Sequence, residues 1–445
     1  MRWLSEGRLF AAYRDEGYGN DVYLLERKGT EEIPERQELL LACWDSCPGE
    51  LEDAVIRFNR ESEIYHVTVQ LYEDEAWLDA KLVSSSPPDM LLLLPLNVEK
   101  YGRKQVLENL DAYLDDSSNM KREDFLEKPL ERYIIDGRLL GIPSEFMCTV
   151  LVGDASETGS QAGWTMEDVM ALTEKFPGRK LSKRNFRWNL ENFCGDYIMD
   201  TFIDEESGAC HFDSEEFRKL IQWLGEYSVS QTQQDTFGEE ERPLFYEKFV
   251  CNIFDYMRYV SRSGEDVAFA GYPSPDGSPR YGMGAFNAVG IVSKSQHKDG
   301  AWQFIESFLS QGEADYGALA NMPVRKDLME DVLAYAVTPE YWMHEGEIEQ
   351  GQDGSPMTKP KWSMRYEDLS GEMVEASYDY ATEEETEGLL ELISQAEFAS
   401  VDDLQAHVMS IIAQEAESFL NGSKSLEEVT KVMQSRVSVM VQENR

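Results

Sequence analysis

The chain has 445 residues, enough for roughly two or three domains. Its 41 basic against 85 acidic side chains leave a formal charge of −44, which repels phosphate backbones and anionic headgroups and so speaks against nucleic-acid binding and electrostatic docking on a membrane. With 42% hydrophobic and 11% aromatic residues there is ample material for cores, and six cysteines are too few for a disulfide scaffold.

The first 36 residues read as β. Residues 8–13 (RLFAAY) and 21–26 (DVYLLE) are short apolar runs, and the turn formers of RDEGYGN separate them, which predicts a hairpin. Residues 30–38 (TEEIPERQE) read as a linker. From residue 39 the pattern becomes strand and helix in alternation. LLLACW (39–44) is a continuous apolar run suited to a strand buried on both faces. Leu51, Val55 and Phe58 then share one helical face. YHVTVQLY (65–72) is β-branched and aromatic, and PDMLLLLP (88–95) holds another buried strand. This order predicts an open, mostly parallel sheet with helices on both faces and right-handed crossovers. The longest apolar run, residues 90–96, contains a proline and is far shorter than the roughly 18 residues of a membrane span.

Further on, Thr165 caps a predicted helix, and residues 202–212 read as strand, turn, strand. The segment DSEE (213–216) supplies a cap and first-turn acids, after which Phe217, Leu220, Ile221 and Leu224 repeat at helical spacing. Ala301, Trp302, Ile305, Phe308 and Leu309 form another apolar stripe, which assigns Trp302 to a core. The acidic run 382–387 (TEEETE) reads as a solvated loop. Ser425 and Glu428 are spaced as a capping box opening the last helix. There is no internal repeat.

Catalytic and metal signatures are missing from the sequence. The five histidines are scattered, and there is no zinc spacing, no Walker loop and no nucleophile elbow. Cys43 and Cys47, four apart, read as a buried thiol or an opportunistic disulfide. No catalytic residue, metal or cofactor is therefore expected. Aromatics near loop positions are more informative, because sugar C–H faces stack on rings while hydroxyls bond to carboxylates and amides. Trp44 ends the first strand of the alternating region, where open α/β sheets bind ligands. Phe146, Trp188, Phe254, Tyr256, Phe286, Trp342 and Trp362 are further candidates, each weighed against ordinary core packing.

Several segments, taken in order, resemble one family. They are the strand 39–45, the helix 51–59 ending in RFN, PD before MLLL at 88–93, DGRLLGIP (136–143), GWTMED (163–168), GYPSPDG (271–277), KDGAWQFI (298–305), NMPVRKD (321–327) and FLNGSKSLEE (419–428). Together they are similar to the extracellular solute-binding proteins of ABC importers, carbohydrate-type and family 1-like, over roughly nine-tenths of the chain. Two departures stand out: no signal peptide or lipidated cysteine is visible, and the first 36 residues lack a counterpart. The resemblance implies an α/β, two-lobe periplasmic-binding-protein-like fold with hinge crossovers, plus a short N-terminal β extension. Lobe one would take residues 37–147 and 285–338, and lobe two 148–284 and 339–445, crossing near Met147, Met283 and Tyr341. Residues 1–36 would be the hairpin extension, or the remnant of an upstream β domain, with its linker.

The implied function is the binding of a solute, expected to be an oligosaccharide, in an interlobe cleft for delivery to ABC transporter permease subunits. The protein would not be an enzyme. It would be extracellular, at the cell surface, peripheral to the membrane through a signal or lipoprotein anchor outside this chain. The expected ligand-binding set is Trp44, Asp45 and Ser46 at the first strand end, Asn97, Glu145 and Phe146, Trp188, Phe254 and Tyr256 in a strand-like stretch, Phe286 and Asn287, and Trp362. Asp45 and Glu145 would accept hydroxyl hydrogen bonds while the rings stack. The alternatives are a carbohydrate-active hydrolase using paired carboxylates and a non-transport interaction module on the same fold.

Overall fold

The computed structural model describes residues 2–3, 8–14, 20–26, 35–72, 74–93, 95–159, 163–204, 207–229, 242–263, 267–310, 321–367, 373–398 and 403–443. The chain divides into two compact units, one of Met1–Leu92 with Ile291–Ser310 and one of Leu93–Gly290 with Gln311–Arg445.

In the first unit, the strand Gln37–Trp44 runs parallel to Tyr65–Tyr72 along its whole length, with Leu39 facing Val67 and Leu41 facing Val69. Leu41 also faces Met90 of Met90–Leu93, again in parallel. The strand therefore starts two residues earlier than the sequence suggests, inside the expected linker. Leu39, Leu41, Ala42 and Cys43 are buried, as a strand covered on both faces requires. The helix Gly49–Glu61 turns Leu51, Ala54, Val55 and Phe58 inward. Phe58 meets Phe304 of Lys298–Leu309 edge-on at 5.4 Å between centroids. The Pro-Asp motif has a structural explanation. Asp89 is buried, and its carboxylate accepts from the Leu40 N–H at 2.8 Å and from the Ser295 hydroxyl at 2.5 Å, tying the central strand to the returning segment. The N-terminal hairpin forms as expected: Arg8–Arg14 pairs antiparallel with Asn20–Glu26, and Arg2–Trp3 adds a third strand.

The second unit is built around Glu145–Asp154. Phe245–Val250, Val267–Ala270, Tyr281–Phe286 and Met322–Pro323 all pair with it antiparallel, while Ala396–Phe398 joins Tyr281–Phe286 in parallel. This sheet departs from the parallel arrangement expected. A ten-residue strand with neighbours on both sides serves as the spine. A helical core lies in the same unit, with Phe202, Phe212 and Phe217 packed edge-to-face beside Leu220, Ile221 and Leu224. Helix starts follow the local signals. Thr165 and Asp168 form a reciprocal capping box on Met166–Lys175, Ser214 caps Glu215–Tyr227, and Ser425 exchanges bonds with Glu428. Trp302, in the first unit, is buried, as assigned.

Three local readings are corrected. Residues 202–212 are not two strands: Phe202 ends the helix Gly195–Phe202, and only Ile203 and Cys210 bridge. Phe254 and Tyr256 lie on the helix Ile253–Tyr256, because Asn252 caps it by accepting from the N–H groups of Phe254 and Asp255. The acidic run is a helix start: Thr382 caps Glu383–Gln395, with Glu385 as its capping-box partner, and Glu385 is buried. Three acids in a first turn favour the helix dipole, so their charge does not mark a loop.

Candidate functional site

The residues that carry the most chemistry gather where the spine strand begins. Phe286 faces Glu145 across the ladder, and the next residue, Asn287, donates from Nδ2 to Glu145 Oε1 at 3.2 Å. Asn287 has φ 57°, a left-handed conformation that asparagine tolerates better than most residues, and this directs it away from the strand it follows. On the other side of the spine, Phe245–Val250 ends at Cys251, whose Sγ lies 3.9 Å from Met147 Sδ. Burial, followed by the carboxylates of Asp255 and Glu145, pushes the Cys251 thiol up to about 11.

The loop after Cys251 is a compact cap. Asn252 receives two backbone N–H groups, and Asp255 Oδ2 accepts from the Cys251 N–H at 3.1 Å. Burial raises the Asp255 carboxyl to about 6, against the backbone N–H groups of Cys251 and Asn252 and the charge of Arg258. The helix then widens into a π-turn at Met257–Ser261, a feature often found at functional sites. Arg258 sits in that turn with its guanidinium 3.6 Å from the Tyr366 ring centroid and 4.6 Å from that of Tyr259. Lys248 lies 5.5 Å from the Tyr259 centroid and 5.6 Å from that of Tyr246.

The twelve expected residues divide by environment. Glu145 and Phe286, half-buried, and Asn287, buried, are brought together at the spine's beginning. Phe146 is fully buried beside them. Phe254 stacks on Trp362 at 6.5 Å and Trp362 on Tyr378 at 5.2 Å, so these rings fill a core, and Trp362 Nε1 is buried without a partner among the described residues. Tyr256 points to the helix Glu383–Gln395, where its hydroxyl occupies the space that a side chain at Gly388 would need. Trp188 is half-buried elsewhere in this unit, under the Arg184 guanidinium at 5.3 Å and tilted against Tyr272 at 6.4 Å. Trp44 is half-buried and Asp45 and Ser46 are exposed at the strand end of the first unit, with Asp45 at φ 58°. Asn97 lies on the helix Pro95–Arg103 in a stretch whose side chains are outside those described. Trp342, the other aromatic candidate, is 45% exposed beside the Lys359 ammonium.

Sequence reasoning missed Asp255, Arg258, Tyr259, Tyr246, Lys248 and Tyr366. No spacing rule links a strand, a π-turn and a ribbon more than a hundred residues away. All six cysteines are free thiols; the hydrogen bond to Cys47 and burial hold the Cys43 thiol protonated. Among the described residues, no group of three or more histidine, cysteine, aspartate or glutamate side chains could hold a metal ion, and no helix is long and apolar enough to cross a membrane. A cavity of about 160 Å³ opens between Met166, Glu167, Asp200 and Pro273, below the usual few hundred Å³ of a ligand site and lined by none of the twelve.

No family model and no curated protein matches the chain. Solved structures do. The ABC substrate-binding protein from Listeria monocytogenes in complex with cycloalternan superposes with a TM-score of 0.56 at 15% identity, covering 92% of this chain and 100% of that one. The sugar-binding protein MalE from Xanthomonas citri gives 0.55 at 17% identity, covering 92% and 98%. The cyclic alpha-maltosyl-1,6-maltose binding protein from Arthrobacter globiformis gives 0.52 at 14%, covering 92% and 100%. The chain has the fold of the solute-binding proteins of ABC importers. At these identities the likeness establishes the fold, and the α/β solute-binding-protein reading of the sequence agrees with it.

Proposed function

We propose that this protein captures an oligosaccharide outside the cell membrane and delivers it to the permease of an ABC importer. The observation that carries the reading is a solute-binding-protein fold across nine-tenths of the chain; the Glu145–Asn287 hydrogen bond beside Phe286 supports placing a contact at the start of the spine strand. The proteins named above bind cycloalternan, sugar and a cyclic maltosyl-maltose, which favours a glycan over a peptide or amino acid.

In the second unit the proposed contacts are Glu145 and Asn287 for hydroxyls, with Phe286 and Trp188 as stacking faces. The proposed lobes are residues 37–147 with 285–338 and 148–284 with 339–445. An export signal or lipid anchor would hold the protein at the surface. Thermal-shift and calorimetric titration against a glycan panel tests the reading. Tight binding without turnover is the expected result. Hydrolysis of a bound glycan would make the protein a carboxylate-dependent hydrolase, and no binding across the panel would leave an interaction module.

A further inference from the structure

We propose that the oligosaccharide is acidic, a uronate-bearing glycan, and that a strip of alternating cations and rings in the second unit, Lys183, Tyr246, Lys248, Tyr259, Arg258 and Tyr366, receives it. This deepens the function proposed above and rests on it.

The strip runs without a break. Lys183 Nζ lies 5.7 Å from the Tyr246 ring centroid, Lys248 lies between Tyr246 and Tyr259 at 5.6 and 5.5 Å, and Arg258 lies between Tyr259 and Tyr366 at 4.6 and 3.6 Å. Tyr246 and Lys248 are two apart on one strand and so share a face, and Tyr246, Lys248, Tyr259 and Tyr366 are all half-buried, leaving part of each ring and ammonium open to solvent. In a chain of charge −44, the strip gathers three cations among three tyrosines. Such a surface opposes the general repulsion of anions at short range, where contact geometry outweighs the screened field.

Arg258 is the informative member. Its neighbours in the fold are neutralised: Arg262 holds Glu385 through two bonds of 2.6 and 2.7 Å, and Arg184 pairs with Glu247. Arg258 is only 9% exposed, its Nη1 reaches Met364 Sδ at 3.3 Å, and its Nε is buried without a partner among the described residues. Asp255, the carboxylate nearest in sequence, accepts from the Cys251 N–H and also feels the Arg258 charge, so it offsets part of that charge from within the fold. A guanidinium nitrogen withdrawn from water without a partner is costly, and a ligand carboxylate meeting the outer nitrogens would recover part of that cost through charge-assisted bonds. Stacking between two rings fixes the guanidinium plane in advance, so little freedom is lost when the carboxylate arrives. The tyrosine faces would meet sugar C–H surfaces, and the two lysines would meet carboxylates on successive residues of the glycan. A neutral glucan uses the rings but brings no charge to Arg258.

The test is calorimetric titration of the whole protein with oligosaccharides in matched pairs, gluco-, galacto- and manno-configured, each as the neutral sugar and as its uronate. The uronate of at least one pair is expected to bind about tenfold or more tighter than its neutral twin, as one satisfied charge-assisted bond implies. Arg258→Gln is expected to remove most of that preference and Arg258→Lys to restore part of it. Should Arg258→Gln unfold, Lys248→Gln and Lys183→Gln carry the test, each lowering the uronate-to-neutral ratio. Neutral sugars binding as tightly as their uronates, or a preference unmoved by all the variants, overturns the acidic ligand and leaves the transport function standing. No binding by either member of any pair overturns both.

Discussion

Asp255 and Glu385 are partly or fully buried carboxyls with opposite consequences for stability. Burial raises the Asp255 carboxyl from 3.8 to about 6, so the folded chain binds its proton more tightly than the unfolded chain. Its contribution is present in full below pH 3.8 and is lost as the pH rises through about 6; Arg258, Cys251 and the N–H groups of the cap are the groups that face it. Asp255→Asn is therefore expected to raise stability at pH 7 by about 2 kcal/mol and by nothing at pH 3.5, measured by urea titration at both pH values. Burial also pushes on Glu385, but the Arg262 guanidinium, the Thr382 N–H and the Ser261 hydroxyl outweigh it and hold the carboxyl at about 2. That ion pair acts above pH 4.5 and fades as the pH falls through about 2. Glu385→Gln is expected to lower the melting temperature at pH 7 and to flatten the acid limb of the stability profile. Legibility at this scale follows range. Asn287 and Glu145 meet because each lies at the end of a paired strand. Trp362 was misjudged as an available face because a tryptophan stacked between Phe254 and Tyr378 has the same one-letter code as one at a loop tip.

At the level of single elements, the capping residues were the most readable part of the chain. Thr165 with Asp168 and Ser425 with Glu428 sit where their spacing puts them, because a cap bonds within four residues. Thr382 with Glu385 obeys the same rule, yet its acids hid it among solvated charge. Thr382→Ala is expected to cost about 1 kcal/mol from the lost cap, and more through Glu385, which it helps to aim; thermal denaturation beside Thr165→Ala measures the excess. The Pro-Asp strand carries a second prediction. Asp89→Ala leaves the Leu40 N–H and the Ser295 hydroxyl without their acceptor inside the first unit, with an expected cost of about 3 kcal/mol in urea unfolding. The π-turn at Met257–Ser261 had no sequence signal, since a widened turn depends on what packs against it.

For the whole molecule, among the described residues the N-terminal sheet pairs only within itself: its three strands form one sheet and Gln37–Trp44 belongs to another. Removing residues 1–34 is therefore expected to change glycan affinity less than about twofold, an outcome that calorimetry against the full chain measures. By itself, the sequence determined the parallel strands of the first unit, the helix starts and the fold class, because apolar periodicity and capping act over a few residues and the order of elements constrains topology. Only the tertiary structure decided that the second sheet is antiparallel about Glu145–Asp154, that Phe254 and Trp362 fill a core, and that Arg258 lies between two tyrosines with a nitrogen unsatisfied. Those outcomes depend on contacts between residues about a hundred positions apart, which are set by how the packed elements close around one another, and no local pattern encodes them.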